Sequence, residues 1–261
     1  MTERRTRTEE ETRNGALQIP TSHPRWLSLV TRTKLTQGVE NGITSYDGLI
    51  AHGRGEAFDY LLGERTHSFA VRSIEAAAAL FLASAHPVIS VNGNAAALVP
   101  QELVMLAKLL ECPLEVNIFH SGAEREFRIR DHLLAHGASE VLLPERDFAL
   151  PFLESNRRFV NGQGIYRADV IFVPLEDGDR CEALIRSGRK VITIDLNPLS
   201  RTSRQASITI VDNIVRALPL LVNRVKALDS DHSYEVLDIF ENYENSLALR
   251  EAEAALRGLN N

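Results

Sequence analysis

The sequence predicts an α/β fold: a mostly parallel sheet with helices on both faces, flanked by N-terminal and C-terminal helical segments. Three observations carry that reading. From His86 onward short apolar, β-branched runs recur: VISVN, LEVNIF, EVLL, VIFV, KVITID and SITIV. Most are followed by a stretch of helical character, such as PQELVMLAKLLE or CEALIRSG. The strand runs are nearly continuous in apolar residues, as expected of strands covered on both faces. With 261 residues, 44% hydrophobic and 25% charged, the chain can bury a sizeable core.

The elements follow in order. The opening MTERRTRTEEETRNG mixes charges without a large apolar residue, so residues 1–18 are expected to form a disordered charged arm. It has no apolar h-region and does not read as a secretory signal. Residues 19–261 are expected to form a single α/β domain, with C-terminal helices from about residue 230. Ser22 can cap a first helix with Pro24 in its opening turn. Arg25 and Arg32 lie two turns apart on one face of that helix, and Gly38 and Gly42 close it. In Gly48 to Glu64 a short apolar piece meets Gly53-Arg54-Gly55, and a short helix ends at Gly63. Ser68 can cap an Ala-rich helix from Phe69 to Ala85.

The expected strands are Val88–Asn92, Leu114–Phe119, Glu140–Leu143, Val170–Val173, Lys190–Asp195 and Ser207–Val211. Pro144 to Arg167 reads as an irregular excursion over the surface. After the last strand, IVRALPLLVNRVKAL is a helix that Pro219 can kink.

Several function classes are excluded. Net charge is −6 and no basic stripe is visible, so nucleic acid is not an expected partner. No apolar run is long enough to span a membrane. Cys112 and Cys181 stand far apart, with no CxxC pair or His/Cys cluster, which fits a reducing cytosol and a cytoplasmic location. The chain contains no GxxxxGK[ST] loop, no dinucleotide fingerprint, and no locally supported Ser/His/Asp set.

In parallel sheets ligands bind beyond the carboxyl ends of the strands, so those ends hold the candidate site. Asn92-Gly93-Asn94 follows the first strand; it could approach a phosphate, or be a plain βα turn. Glu176-Asp177-Gly178-Asp179 could hold Mg²⁺ or an ammonium group, or be an Asp-Gly turn with a helix cap. Asp195 closes the strand KVITI and is followed by Asn197, Ser200, Arg201, Thr202, Ser203 and Arg204. That set suits ribose hydroxyls and phosphates without a Gly-rich loop, and Asp212-Asn213 repeats its character at the next strand end. Arg54, between two glycines, can reach an anion without crowding. His23 and His52 are lone histidines, more often structural or solvent-facing than catalytic.

Six separated blocks in order, SHPR, GLIAHGRGEAFDYLLGERT, HPVISVNGNAAALVP, ADVIFVPLEDGDR, VITIDLNPLSR and ITIVDNIVRA, resemble the archaeal-type phosphopantothenate synthetases, the 4-phosphopantoate–β-alanine ligases. The resemblance runs from about Ile19 to about Ala227. It implies a Rossmann-like nucleotide domain, a homodimer, and an ATP-dependent ligation of 4-phosphopantoate to β-alanine in coenzyme A biosynthesis, releasing AMP and diphosphate.

Carried over position by position, it implies ATP contacts at Arg32, Arg54, Asp195, Leu196, Asn197, Arg201, Thr202, Asn213 and Ile214. Arg32, Arg54 and Arg201, together with Mg²⁺, are then expected to offset the repulsion between the anionic substrates. Thr202 stands where the family has a serine, and SHPRWLSL has its tryptophan one place early. Between Phe119 and Val160 the family pattern is followed poorly. Two other classes fit the same residues: a nucleotide-binding regulatory module without turnover, and a related ligase using another acid or amine.

Overall fold

The computed structural model describes residues 19–119, 122–231 and 239–259. The charged arm expected over residues 1–18 lies outside the described residues. The chain begins with three helices, α1 (Trp26–Glu40), α2 (Tyr46–Leu61) and α3 (Ser68–Ala83). The sheet region follows: β1 (Pro87–Val91), α4 (Gly93–Leu98), α5 (Pro100–Leu109), β2 (Leu114–Val116), α6 (Ala123–Ala135) and β3 (Val141–Leu142). Its second half holds β4 (Glu145–Ala149), β5 (Phe159–Val160), β6 (Val170–Phe172), α7 (Gly178–Arg186), β7 (Lys190–Ile194), α8 (Arg201–Gln205) and β8 (Ile208–Ile210). Helices α9 (Ile214–Asp231) and α10 (Asn245–Leu256) complete it.

The six main strands are all parallel, in the order β3-β2-β1-β6-β7-β8. This is the doubly wound order of Rossmann-like sheets, in which the chain starts at the centre, builds one half, and returns to build the other. The switch point falls between β1 and β6, where neighbouring connections leave in opposite directions.

Side chains alternate between two layers along each strand. Ile89, Val91, Phe172, Ile192, Ile194, Ile208 and Ile210 pack into the larger core with α3, α5 and α9. Val88, Ile171, Val173 and Val191 meet a smaller cluster with Cys181 and Leu184 of α7. That second face also carries Ser90, Glu115, Thr193 and Thr209, all buried polar groups. Each is bonded: the Thr193 hydroxyl donates to the Val173 carbonyl at 2.9 Å and that of Thr209 to the Ser203 carbonyl at 2.9 Å.

Three local expectations are corrected. Helix α1 starts at Trp26, with Arg25 in the cap position and no side-chain cap, so Ser22 does not cap it. The Arg25 N–H instead bonds His23 Nδ1 at 3.1 Å. Residues Tyr46 to Leu61 form one continuous helix running straight through Gly53 and Gly55. Ser45 caps it by accepting from the Gly48 N–H at 3.3 Å. Glycine weakens a helix by only about 1 kcal/mol relative to alanine, and here the cap and the packing of Phe58 and Leu62 outweigh it. Finally, Pro144 to Arg167 is not a structureless surface excursion. It contains the antiparallel pair β4–β5, and it buries Arg157, Val160, Asn161 and Ile165 against the second sheet face.

Candidate active site

A cavity of about 720 Å³ opens over the carboxyl ends of the strands at the switch point. One side is built by the second half of the sheet. Asp195, Leu196, Asn197, Arg201, Thr202, Asn213 and Ile214 all line it, and Arg54 and Gly55 of α2 close it from above. The other side is formed by Thr44 and Ser45 ahead of α2, by Asn92 to Asn94 after β1, and by Ile118 and Arg125.

The loop after β7 is folded by its own polar groups. The Asp195 carboxylate accepts from the Asn197 N–H at 2.9 Å and from the Ser200 hydroxyl. Ser200 in turn caps α8, accepting from the Ser203 N–H at 2.9 Å. Burial pushes the Asp195 carboxyl up, while these donors and the charge of Arg54 pull it back. The Thr202 hydroxyl donates to the Glu176 carbonyl at 2.9 Å, tying this loop to the turn after β6.

Asn213 is held from behind. Its side-chain amide donates to Asp59 at 2.8 Å, and Arg216 forms ion pairs with both Asp59 and Asp212. Asp212 also accepts from the Thr66 hydroxyl at 2.6 Å. This buried cluster ties α2, the helix carrying Arg54, to the end of β8 that carries Asn213.

The arginines differ in availability. No hydrogen bond to another described residue occupies the Arg54 guanidinium. Arg201 reaches the cavity with its charge shared between Asp179 and Glu182. Arg32 is not among the cavity walls; its Nε bonds Glu56 at 2.8 Å, on the flank of α2 away from Arg54. His52 is a wall residue, and burial holds its imidazole toward the neutral form against the charges of Glu56 and Asp59.

The acidic turn after β6 does not fit a metal or an ammonium ion. Both Glu176 oxygens are taken, by Arg157, by Arg180 and by the Asp177 N–H. Asp177 caps α7 and pairs with Arg157 at 2.7 Å, and Asp179 pairs with Arg201. With every carboxylate of the turn engaged, an Mg²⁺ ion finds no preformed protein cage there.

Four of the residues that shape the site escape a reading of the sequence. Thr44 and Ser45 precede a helix that crosses two glycines. Asp59 sits inside that helix with no local signal. Arg157 lies in the stretch that reads as irregular.

The strand order, the crevice at the switch point and the Asp/Asn/Ser/Arg loop define a doubly wound α/β protein with a polar-lined cavity at the carboxyl ends of its strands. The family profile described as phosphopantothenate/pantothenate synthetase matches residues 69–258. A 4-phosphopantoate–beta-alanine ligase of Thermococcus kodakarensis is 50% identical over 242 residues, covering 92% of this chain and 93% of that protein. One of Methanosarcina mazei is 50% identical over 234 residues, covering 90% and 92%. One of Methanospirillum hungatei is 50% identical over 213 residues, covering 82% and 87%. The chain belongs to the phosphopantothenate/pantothenate synthetase family.

Proposed function

We propose that this chain joins 4-phosphopantoate to β-alanine at the expense of ATP. The observation that carries the reading is the convergence of two facts. The relatives that bear this name match over 82–92% of the chain, and eight of the nine residues implied for ATP line one cavity.

In the first step a carboxylate oxygen of 4-phosphopantoate attacks the α-phosphorus of ATP. The bond from that phosphorus to the bridging oxygen breaks, and diphosphate leaves. In the second step the β-alanine nitrogen, having lost a proton, attacks the acyl carbon; the carbon–oxygen bond to AMP breaks and AMP leaves. Two anions must approach in the first step. Arg54, the cation with no described hydrogen-bonded partner, is suited to stabilise charge building at the α-phosphate, with Arg201 beside it. Asp195, Asn197 and Asn213 hold and orient the nucleoside end. Thr44, Ser45 and Asn92 to Asn94 face the nucleotide loop across the cavity, where the acid has room to lie. Mg²⁺ would arrive on the ATP phosphates; no step is assigned to a protein-held metal. Arg32 joins the site only if Glu56 releases it.

A homodimer is part of the reading. Tyr46, Ile50 and Leu61 of α2 are 76%, 66% and 62% exposed, an apolar face that a second copy would cover. Sedimentation velocity tests this, since a monomer at micromolar concentration contradicts it. A cytoplasmic setting is consistent with two free cysteines and with no described helix long and apolar enough to cross a membrane.

The deciding assay follows AMP release with 4-phosphopantoate, β-alanine, ATP and Mg²⁺, together with ATP–diphosphate exchange. Exchange that needs 4-phosphopantoate but not β-alanine is expected. ADP as product would replace the adenylate with an acyl phosphate. ATP binding without turnover would point to a regulatory module, and turnover with unphosphorylated pantoate alone to a related ligase.

A further inference from the structure

In the cavity wall, where Arg157 and Glu176 line it, and behind that wall at Arg180 lies an ionic cluster that neither the resemblance nor the reaction uses. Arg157, Glu176 and Arg180 have side chains 6%, 1% and 0% exposed. Arg157 comes from the connection between β4 and β5, Glu176 from the end of β6, and Arg180 from the first turn of α7. A guanidinium has five N–H donors, and all five of Arg157 are used. Nε donates to Asn117 Oδ1 at 2.9 Å. One terminal nitrogen donates to Glu176 and to Asp177, and the other to Glu176 and to the Asn117 carbonyl. Arg180 adds a bond to Glu176 and one to the Ser90 hydroxyl at 3.0 Å. With no donor left over, Arg157 cannot be a substrate ligand without breaking this set, although it borders the cavity.

What the cluster holds is the turn Pro174 to Gly178. The turn is strained at Leu175, whose φ is +57°, in the left-handed region that costs a branched residue about 1–3 kcal/mol. Such a conformation persists only where the surroundings fix it. Asn92 donates to the Pro174 and Leu175 carbonyls at 2.9 and 3.1 Å from across the switch point, and the arginines fix the next residue.

The nucleotide loop rests on this turn. Thr202 bonds the Glu176 carbonyl, and Gly178 lies under the stem of Arg201, so close that a Cβ there would come within 2.7 Å of the Arg201 Cβ.

We propose that Arg157 and Arg180 are positioning residues of the ligation site: through buried Glu176 they set the turn on which Thr202 and Arg201 are seated, and so the height of the nucleotide loop. This buried ionic cluster, in which the Arg180 Nε has no partner, is poor evidence for stability, because burying its charges costs about what their pairing returns. Fixing one backbone geometry is the use that remains. The inference rests on the nucleotide reading of the cavity but not on the identity of the acid or the amine.

The test is equilibrium binding of α,β-methylene-ATP by calorimetry, alongside steady-state kinetics, for Arg157→Lys and Arg180→Lys in the full-length enzyme. Each lysine keeps the charge and loses the fork. A fivefold or greater rise in Kd for the analogue and in KM for ATP is expected, with KM for β-alanine within twofold. A scaffold role alone would lower Tm and the active fraction while leaving both constants unchanged, and Kd within twofold of wild type in the folded variants overturns the proposal. Should neither lysine variant fold, Ser90→Ala, which removes only one acceptor of Arg180, decides: a threefold rise in Kd supports the proposal and an unchanged Kd refutes it. Wild-type protein that binds the analogue without ligating 4-phosphopantoate would refute the proposed reaction and leave this test intact.

Discussion

Arg216→Met tests the claim that α2 is pinned to the end of β8 by charge. Arg216 pairs with Asp59 and Asp212, whose side chains are 4% and 0% exposed, and its own bonds include 2.9 Å from Nε to Asp212 and 3.2 Å from a terminal nitrogen to Asp59. Methionine keeps most of the volume and removes the cation, so two buried carboxylates are left facing each other. Breaking a buried pair in this way costs about 3–5 kcal/mol. For a chain of this size that corresponds to a fall in Tm of roughly 6–20 °C.

Differential scanning fluorimetry should show that fall. A change in Tm of under about 2 °C would show that Arg216 is not the sole counter-charge of this cluster. Because Asn213 is held by Asp59, the variant should also bind ATP more weakly at temperatures where it is fully folded.

Three further outcomes are expected. Arg54→Ala should lower kcat/KM tenfold or more, about 1.4 kcal/mol of transition-state stabilisation, and wild-type kinetics in that variant would remove Arg54 from the site. Burial pushes the Glu115 carboxyl up to about 7, against backbone N–H donors from Asn161 and Ile165 at 2.9 and 2.6 Å. Its contribution to stability is therefore fully present below its unfolded value near 4.5 and is lost as pH rises through 7, a change on the order of 3 kcal/mol. Wild type should lose Tm relative to Glu115→Gln between pH 5 and 8, and parallel curves would contradict this. Gly93→Ala would set a Cβ 2.5 Å from the Ile43 carbonyl oxygen, a clash with backbone that should cost about 1–3 kcal/mol in a urea titration.

The parallel α/β class was legible because parallel strands covered on both faces are mostly apolar, and the runs around Ile89, Ile171 and Ile192 are; the strand order was not. The cavity residues from Asp195 to Thr202 were legible because a strand end has few reasons to collect Asp, Asn, Ser and Arg together. The helix across Gly53 and Gly55 was not, because local propensity argues against it and the Ser45 cap and the packing of Phe58 and Leu62 decide it. Nor was the fate of Glu176-Asp177-Gly178-Asp179. Four residues rich in carboxylate look like a cation site until Arg157 and Arg180 arrive from 19 residues before and four after Glu176 and neutralise it.

By itself, then, the sequence determined the layer architecture and the polar strand ends that line one side of the crevice, since both follow from periodicity and from residue chemistry within a few positions of a strand end. Only the tertiary structure decided which charges are free. Arg54, Arg32 and Arg201 read alike along the chain. Folding leaves the first without a described hydrogen-bonded partner, ties the second to Glu56 and shares the third between Asp179 and Glu182. Charge availability is set by partners distant in sequence, and pairing distance falls out of packing rather than of local pattern.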